Sequence, residues 1–225
     1  RLDTFAVGDG AVHLLRTPGH ATLWDCGSLR PAIYPRVVER GLRELGVSGI
    51  DAVVISHANL DHYSGLPDAL RAHRPGVLIT TAALIETIES TDAVSAAVRG
   101  AIAESGVRVR TVAQGDRFQL GSAEAWVLWP PRNPPPDLST NDLSMVAIVT
   151  VPTGAGPRTL MFTGDAEAAA LAGVRAYLEA NGGPPRVDVI EVPHHGSAEP
   201  EAMRFVQWLD PAVCVQSTGP SRVDD

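Results

Sequence analysis

The order of short β-branched and apolar runs constrains this chain more than any other feature. Such runs occupy residues 3–7, 11–15, 21–25, 52–56, 77–80, 107–112, 117–120, 123–129, 144–151, 158–162, 187–192 and 212–216, each bounded by turn residues. Helical patterns with proper ends lie between some of them. Residues 33–45 follow Pro31 and precede Gly46, residues 92–105 precede Gly106, and residues 167–180 run into Asn181-Gly182-Gly183. Shorter helices are expected at 67–72 and 200–209. Strands, then strand–helix alternation, then an antiparallel block from 107 to 162, then alternation again, read as two similar halves. Two mixed β-sheets packed face to face with helices outside would bury one face of each sheet, so the expected fold is an α/β, four-layer αββα sandwich.

Residues 1–225 are expected to form a single domain cut from a larger chain, since the sequence opens at Arg1 without a methionine and stops at Val223-Asp224-Asp225 just after a Gly-Pro turn. The proline-rich stretch from Pro130 to Thr140 reads as a rigid surface loop within that domain. No run approaches the roughly 20 apolar residues of a spanning helix, and Arg1-Leu2-Asp3 lacks the apolar core of a secretory leader, so the domain is expected to be soluble. Cys26 and Cys214 are too few for a disulfide framework and lack CxxC spacing.

Charge narrows the function. Eighteen basic residues, all arginine, against 26 acidic ones give a formal net charge of −8. That argues against a generally basic nucleic-acid binder, whose affinity rests on neutralising phosphates, and leaves local positive charge to a metal. A chain this long can bury roughly 70% of its unfolded surface, so a metal would be functional rather than structural.

Three segments carry the chemistry. Ile55-Ser56-His57-Ala58-Asn59-Leu60-Asp61-His62 places two histidines and a carboxylate within six residues after a strand, a donor set suited to zinc, manganese or iron. Phe162-Thr163-Gly164-Asp165 ends an apolar strand with glycine and a carboxylate. Asp165 is either aimed at the same site or the N-cap of the helix that follows. Val189-Ile190-Glu191-Val192-Pro193-His194-His195-Gly196-Ser197 ends a third strand with paired histidines. Neighbours in a strand point opposite ways, so one histidine is expected to bind metal and the other to face substrate or solvent.

These segments resemble the metallo-β-lactamase superfamily, whose signature is H-x-H-x-D-H followed by a later Asp and a last His. More narrowly, the chain resembles the soluble domain of ComEC-type DNA-uptake proteins. Val7-Gly8-Asp9-Gly10, Leu23-Trp24-Asp25-Cys26-Gly27, Ser56-His57 to Gly65-Leu66, Asn141-Asp142-x-Ser144, Thr163-Gly164-Asp165 and His194-His195-Gly196-Ser197 carry that likeness.

The resemblance implies that Asp61, His62, Asp165 and one of His194 or His195 hold a second metal position. Asp165 would bridge, and His194 is preferred because it sits directly at the strand end. His57, with Asn59, would serve the first position. Asp25 would brace the metal loop from behind, and Asn141, Asp142, Ser144 and Ser197 would support the site or touch substrate. Asp61, Asp165 and His195 would carry catalysis. Two departures weaken the first position: Asn59 stands where relatives have histidine or aspartate, and its third histidine is matched only by the Asn141–Ser144 segment. The expected cofactor is therefore one or two divalent ions, Mn2+ or Zn2+, with the first loosely held. Thr17-Pro18-Gly19-His20 is a look-alike of a ligand motif and reads as a hairpin turn, with His13 and His73 also off the site.

The function implied is a metal-dependent hydrolase, a nuclease acting on DNA, single-stranded, during uptake. Its setting would be the extracytoplasmic side of a bacterial inner membrane, beside the channel part of the same larger protein, with the cytoplasm as the alternative. Two alternatives stand beside it: a degenerate, non-catalytic binding module, and a hydrolase of small esters, lactones or lactams, disfavoured by the missing three-histidine position.

Overall fold

The computed structural model describes residues 1–30, 32–197 and 199–219; Pro31, expected ahead of the first helix, and the Pro220–Asp225 end lie outside them. Two six-stranded sheets face each other. The first contains β1 (Leu2–Thr4), β2 (His13–Thr17), β3 (His20–Trp24), β4 (Ala52–Val54), β5 (Val77–Thr80) and β6 (Arg108–Thr111), side by side in chain order. The second contains β7 (Arg117–Leu120), β8 (Ala123–Trp129), β9 (Val146–Val151), β10 (Arg158–Phe162), β11 (Val189–Glu191) and β12 (Val213–Val215), also in chain order. Each half starts with antiparallel hairpins and ends in parallel strands reached through helices.

One expectation needs correction: β6 does not belong to an antiparallel block but pairs in parallel with β5. The 13-residue helix before it is a crossover, and a crossover of that length returns the chain parallel.

The helices lie outside. A π-helical turn, Tyr34–Val38, runs into α1 (Glu39–Glu44); α2 (Leu60–Tyr63), α3 (Leu66–His73), α4 (Ala82–Ile88) and α5 (Ala93–Ser105) follow. The second half adds α6 (Ala168–Ala180) and α7 (Pro200–Leu209). Helix α5 has legible ends: the Asp92 carboxylate accepts from the Val94 and Ser95 amides at 3.0 Å, and Gly106 closes it at φ 69. Helices α2 and α4 were not expected from sequence.

Three cores alternate with these layers. Leu23, Leu42, Val53, Leu70, Leu78 and Val98 pack the first sheet against its helices; Met161, Leu171, Val174, Ile190 and Phe205 do so for the second. Between the sheets, Trp24 of β3 stacks on Phe162 of β10, centroids 4.2 Å apart and planes 12° from parallel. Such a pair contributes roughly 0.5–1.5 kcal/mol beyond its buried area. Its location matters as much, because each ring sits just before a strand end that delivers a polar residue.

Candidate metal centre

The site gathers at the carboxyl ends of parallel strands from both sheets, where loops converge in α/β folds. Asp25 follows β3, the 56–62 segment follows β4, Asp165 follows β10, and the two histidines follow β11. Backbone hydrogen bonds stitch these loops together: Asp25 N–H to the Val54 carbonyl at 2.8 Å, Met145 N–H to Ser56 at 2.8 Å, and His194 N–H to Gly164 at 3.0 Å. Helix α2, a single turn, presents Asp61 and His62 side by side. Gly27 lets the Asp25 loop lie against it, since a Cβ there would fall 2.4 Å from Asp61 backbone. Gly164 turns the chain at φ 51, the left-handed exit its sequence position called for.

Four imidazoles converge on one carboxylate. Asp165 Oδ1 lies 2.9 Å from His62 Nε2 and 3.3 Å from His195 Nε2. Asp165 Oδ2 lies 3.7 Å from His57 Nε2 and 4.0 Å from His194 Nε2. Asp61 Oδ2 adds a contact of 3.3 Å to His195 Nε2, and Asp61, His62, Asp165 and His195 each offer a donor atom within 4.8 Å of the others.

The rings are aimed from behind. Asp25, itself at φ 55, accepts from the Ser56 amide at 2.7 Å, from the Ser56 hydroxyl at 2.8 Å, and meets His62 Nδ1 at 2.8 Å. Because the Ser56 hydroxyl donates to Asp25, it accepts from His57 Nδ1–H at 2.9 Å, which leaves a lone pair on His57 Nε2. That nitrogen is buried and has no hydrogen-bond partner among the described residues. His195 Nδ1 donates to the Ser217 carbonyl at 2.7 Å.

Electrostatics match a cation-binding arrangement. Burial, reinforced by His62, pushes His57 down to about 3, so this ring is neutral. For His62 burial opposes charging, but the Asp165 and Asp25 carboxylates outweigh it and hold the ring well above its ordinary value. The same balance raises His195, with Asp61 the leading partner. Asp165 resists burial and lies below the usual carboxylate range because His62, His57 and His195 surround it. Asp25 is raised, burial outweighing the pull of His62. A cation at this cluster would take the place of the shared proton, and the orphaned His57 nitrogen with its ready lone pair fits a metal better than it fits a dry core.

Two expectations change. The histidine grouped with Asp61, His62 and Asp165 is His195, not His194. The strand ends before Pro193, and both histidines adopt left-handed backbone (φ 50 and 55) in a 3₁₀ turn, so strand alternation does not govern them. His194 instead lies across Asp165, with Asn141 Nδ2 3.4 Å from its Nε2 and Glu167 and Glu199 3.5 and 3.8 Å from its Nδ1. Asp142 does not enter the cluster; its carboxylate accepts from the Ala170 amide at 2.8 Å and caps α6, the role weighed for Asp165.

The other named residues fall as follows. Asn59 Nδ2 donates to Asn141 Oδ1, Asn141 Nδ2 donates to Glu167 Oε1 at 2.8 Å, and Ser144 Oγ accepts from the Asp165 amide at 3.2 Å. Ser197 closes the histidine turn through its amide to the His194 carbonyl at 2.9 Å. His20 sits at the β2–β3 hairpin beside Thr22, and His73 pairs with Glu39 at 2.9 Å, both apart from the cluster.

Sequence reasoning missed Glu191. Its carboxylate accepts from the Thr163 and Gly164 amides at 2.9 and 3.0 Å and meets His13 Nε2 of the opposite sheet at 2.9 Å, fully inside the protein. It therefore fixes the loop carrying Asp165. Burial opposes its charge, but His13 and the two amides bring it down to about 2. The available signal was a carboxylate at an inward position of an apolar strand.

The chain belongs to the metallo-β-lactamase superfamily, whose sequence profile matches residues 6–207. Members of this superfamily are generally metal-dependent hydrolases. In sequence it is similar to the ComE operon protein 3 of Bacillus subtilis (strain 168), 27% identical over 174 residues, which is 77% of this chain but 20% of that protein's length. In fold it is similar to YhfI of Bacillus subtilis (13% identity, TM-score 0.60, covering 100% of this chain and 90% of that one). It is also similar to MEM-A1, a subclass B3 metallo-β-lactamase from a soil metagenome library (14% identity, TM-score 0.58, 90% and 88% covered). No helix among the described residues is long and apolar enough to cross a membrane.

Proposed function

We propose that this chain is a metal-dependent phosphodiesterase that cuts DNA, single-stranded DNA in the first instance, as part of DNA uptake. The observation that carries the hydrolase is the convergence of four imidazole Nε2 atoms on the two oxygens of one buried carboxylate. Asp61, His62, His195 and Asp165 would hold one cation, manganese or zinc, and His57 with Asn59 and the far oxygen of Asp165 a second, weaker one. A bound divalent ion there lowers the pKa of its water toward about 7 and shields phosphate charge.

The chain's own groups do the rest. Asp61 is 17% exposed at its side chain, so it reaches both the cluster and solvent. That is the position for orienting a water and accepting its proton. His195 holds Asp61 in place, and Asp165 keeps the two sides in register. Asp61, Asp165, Glu167 and Glu199 make the surroundings acidic, so an anionic phosphodiester would be repelled unless cations were present, and activity should depend fully on divalent ions. The similarity to the ComE operon protein 3 supports the uptake context and DNA as substrate. By the same reading the domain stands outside the cytoplasmic membrane, joined to a channel part of a larger protein.

A second reading, a non-catalytic binding module, is favoured by the Asn59–Asn141 amide pair, in which two candidate donors satisfy one another. Labelled single- and double-stranded DNA incubated with the protein and Mn2+, beside Asp165→Ala, separates the two. Cleavage abolished by the substitution supports the nuclease; no cleavage with any divalent ion supports the module. Turnover of lactams or lactones in place of DNA would contradict both.

A further inference from the structure

Three of the clustered histidines share one arrangement, Nδ1 hydrogen-bonded from outside and Nε2 turned toward Asp165: Ser56 holds His57, Asp25 holds His62 and the Ser217 carbonyl holds His195. Ligating histidines are oriented in this way, usually through a carboxylate or carbonyl on the second nitrogen. His194 also turns Nε2 toward Asp165, at 4.0 Å, while its Nδ1 faces the Glu167 and Glu199 carboxylates at 3.5 and 3.8 Å without a hydrogen bond. His194 thus presents Nε2 to the shared carboxylate as the other three do, with Asn141 Nδ2 3.4 Å from that nitrogen, although it lies outside the Asp61 group.

Its partners complete the picture. Glu167 accepts from Ser139 Oγ at 3.1 Å and from Asn141 Nδ2 at 2.8 Å while facing His194, so one carboxylate organises the whole outer side. Asn59 spends its amide N–H on Asn141, and its Oδ1 carries no hydrogen bond among the described residues. Opposite, the buried His57 Nε2 has a lone pair and no hydrogen-bond partner among the described residues. His57 Nε2 and Asp165 Oδ2, 3.7 Å apart, make an incomplete donor set; a second imidazole would extend it.

We propose that His194 supplies to the first cation position the imidazole that the 141–144 segment lacks, reaching it from the loop after β11, with Glu167 as the positioning residue. The paired histidines then divide between two ions on either side of Asp165. This rests on the metal-centre reading above but not on DNA being the substrate. Left-handed backbone at both residues is what makes the division possible: it swings consecutive rings to opposite oxygens of the same carboxylate.

The test is Mn2+ binding, followed by calorimetry and by electron paramagnetic resonance, in the wild type, His194→Gly, His194→Asn and Asp61→Ala. Glycine and asparagine suit the φ of 50 at this position, so folding should survive. Expected is one tight and one weak ion in the wild type, the weak ion lost or loosened at least about tenfold in His194→Gly with the tight one retained, and the converse in Asp61→Ala. Glu167→Gln should loosen the weak ion by a smaller factor, whatever its effect on thermal stability. Two ions with wild-type affinities in His194→Gly would overturn the proposal while leaving the metal centre standing. Loss of the tight ion alone in that variant would also overturn it. A weak ion that survives His57→Ala but not Glu199→Ala would place the cation on the outer nitrogen and overturn it likewise. A wild type that binds no ion would remove the metal-centre reading and this one together.

Discussion

The two sides of Asp165 differ in how completely the protein prepares them. On the Asp61 side the donors already lie within 4.8 Å of each other, two carboxylates face two imidazoles, and His62 is braced by the buried Asp25. On the His57 side the bracing group is a hydroxyl, the nearest imidazoles stand 3.7 and 4.0 Å from the shared oxygen, and two neutral amides occupy the remaining space. One side is built from charge and the other from what is left of Asp165 plus neutral donors. Affinity for a dication should follow that difference, so the lesson concerns charge count as much as geometry.

Removing the shared group breaks the comparison outright. Asp165→Ala should abolish both ions and lower hydrolysis by about 10³-fold, the several kcal/mol of cation chemistry expressed as rate and checked by single-turnover kinetics with metal analysis. Glu191 supports the shared loop from within, so Glu191→Gln should weaken both sides alike and cost about 3 kcal/mol in urea unfolding, because His13 and two amides lose a buried anion.

That variant also has a pH signature. Glu191 is depressed from 4.5 to about 2, so its stabilisation is present above pH 4.5 and disappears as pH falls toward 2. Acid unfolding should be steeper in the wild type than in Glu191→Gln across that window. Asp25→Asn should act chiefly on the tighter side, where it meets His62 directly, weakening that ion 10–100-fold in a competition titration with a chelator, and by a smaller factor on the His57 side, which it reaches only through the Ser56 hydroxyl. The smallest effect comes from adding charge: Asn59→Asp should tighten the weaker ion by about tenfold in calorimetry, the gain in attraction partly offset by loss of the Asn141 hydrogen bond.

Much of this was legible in the sequence where the determinants are local. Short β-branched and apolar runs marked the twelve strands among the described residues because sheets packed between layers bury such runs, and Asp61, His62 and Asp165 stood out as polar residues at the ends of apolar runs. Where the determinant is distant, reading failed. Glu191 and His13 each look misplaced within a strand, and their meaning depends on a partner 178 positions away across the sandwich. Helix α4 was missed because its seven residues carry no side-chain cap. His194 and His195 were exchanged because a rule for extended backbone was applied to a left-handed turn, which only φ values reveal. Asp142, expected to support the site or touch substrate, instead caps α6, a part the sequence left open to Asp165; both precede that helix, and only coordinates show which carboxylate reaches its first amides.

Anomalous diffraction at the manganese edge, from crystals soaked in MnCl2, addresses the central claim most directly. Two peaks of unequal height should flank the Asp165 carboxylate, the stronger among Asp61, His62 and His195, the weaker between His57 and His194. Absence of density within bonding distance of Asp165, or a peak held only by Glu167 and Glu199, would contradict the account.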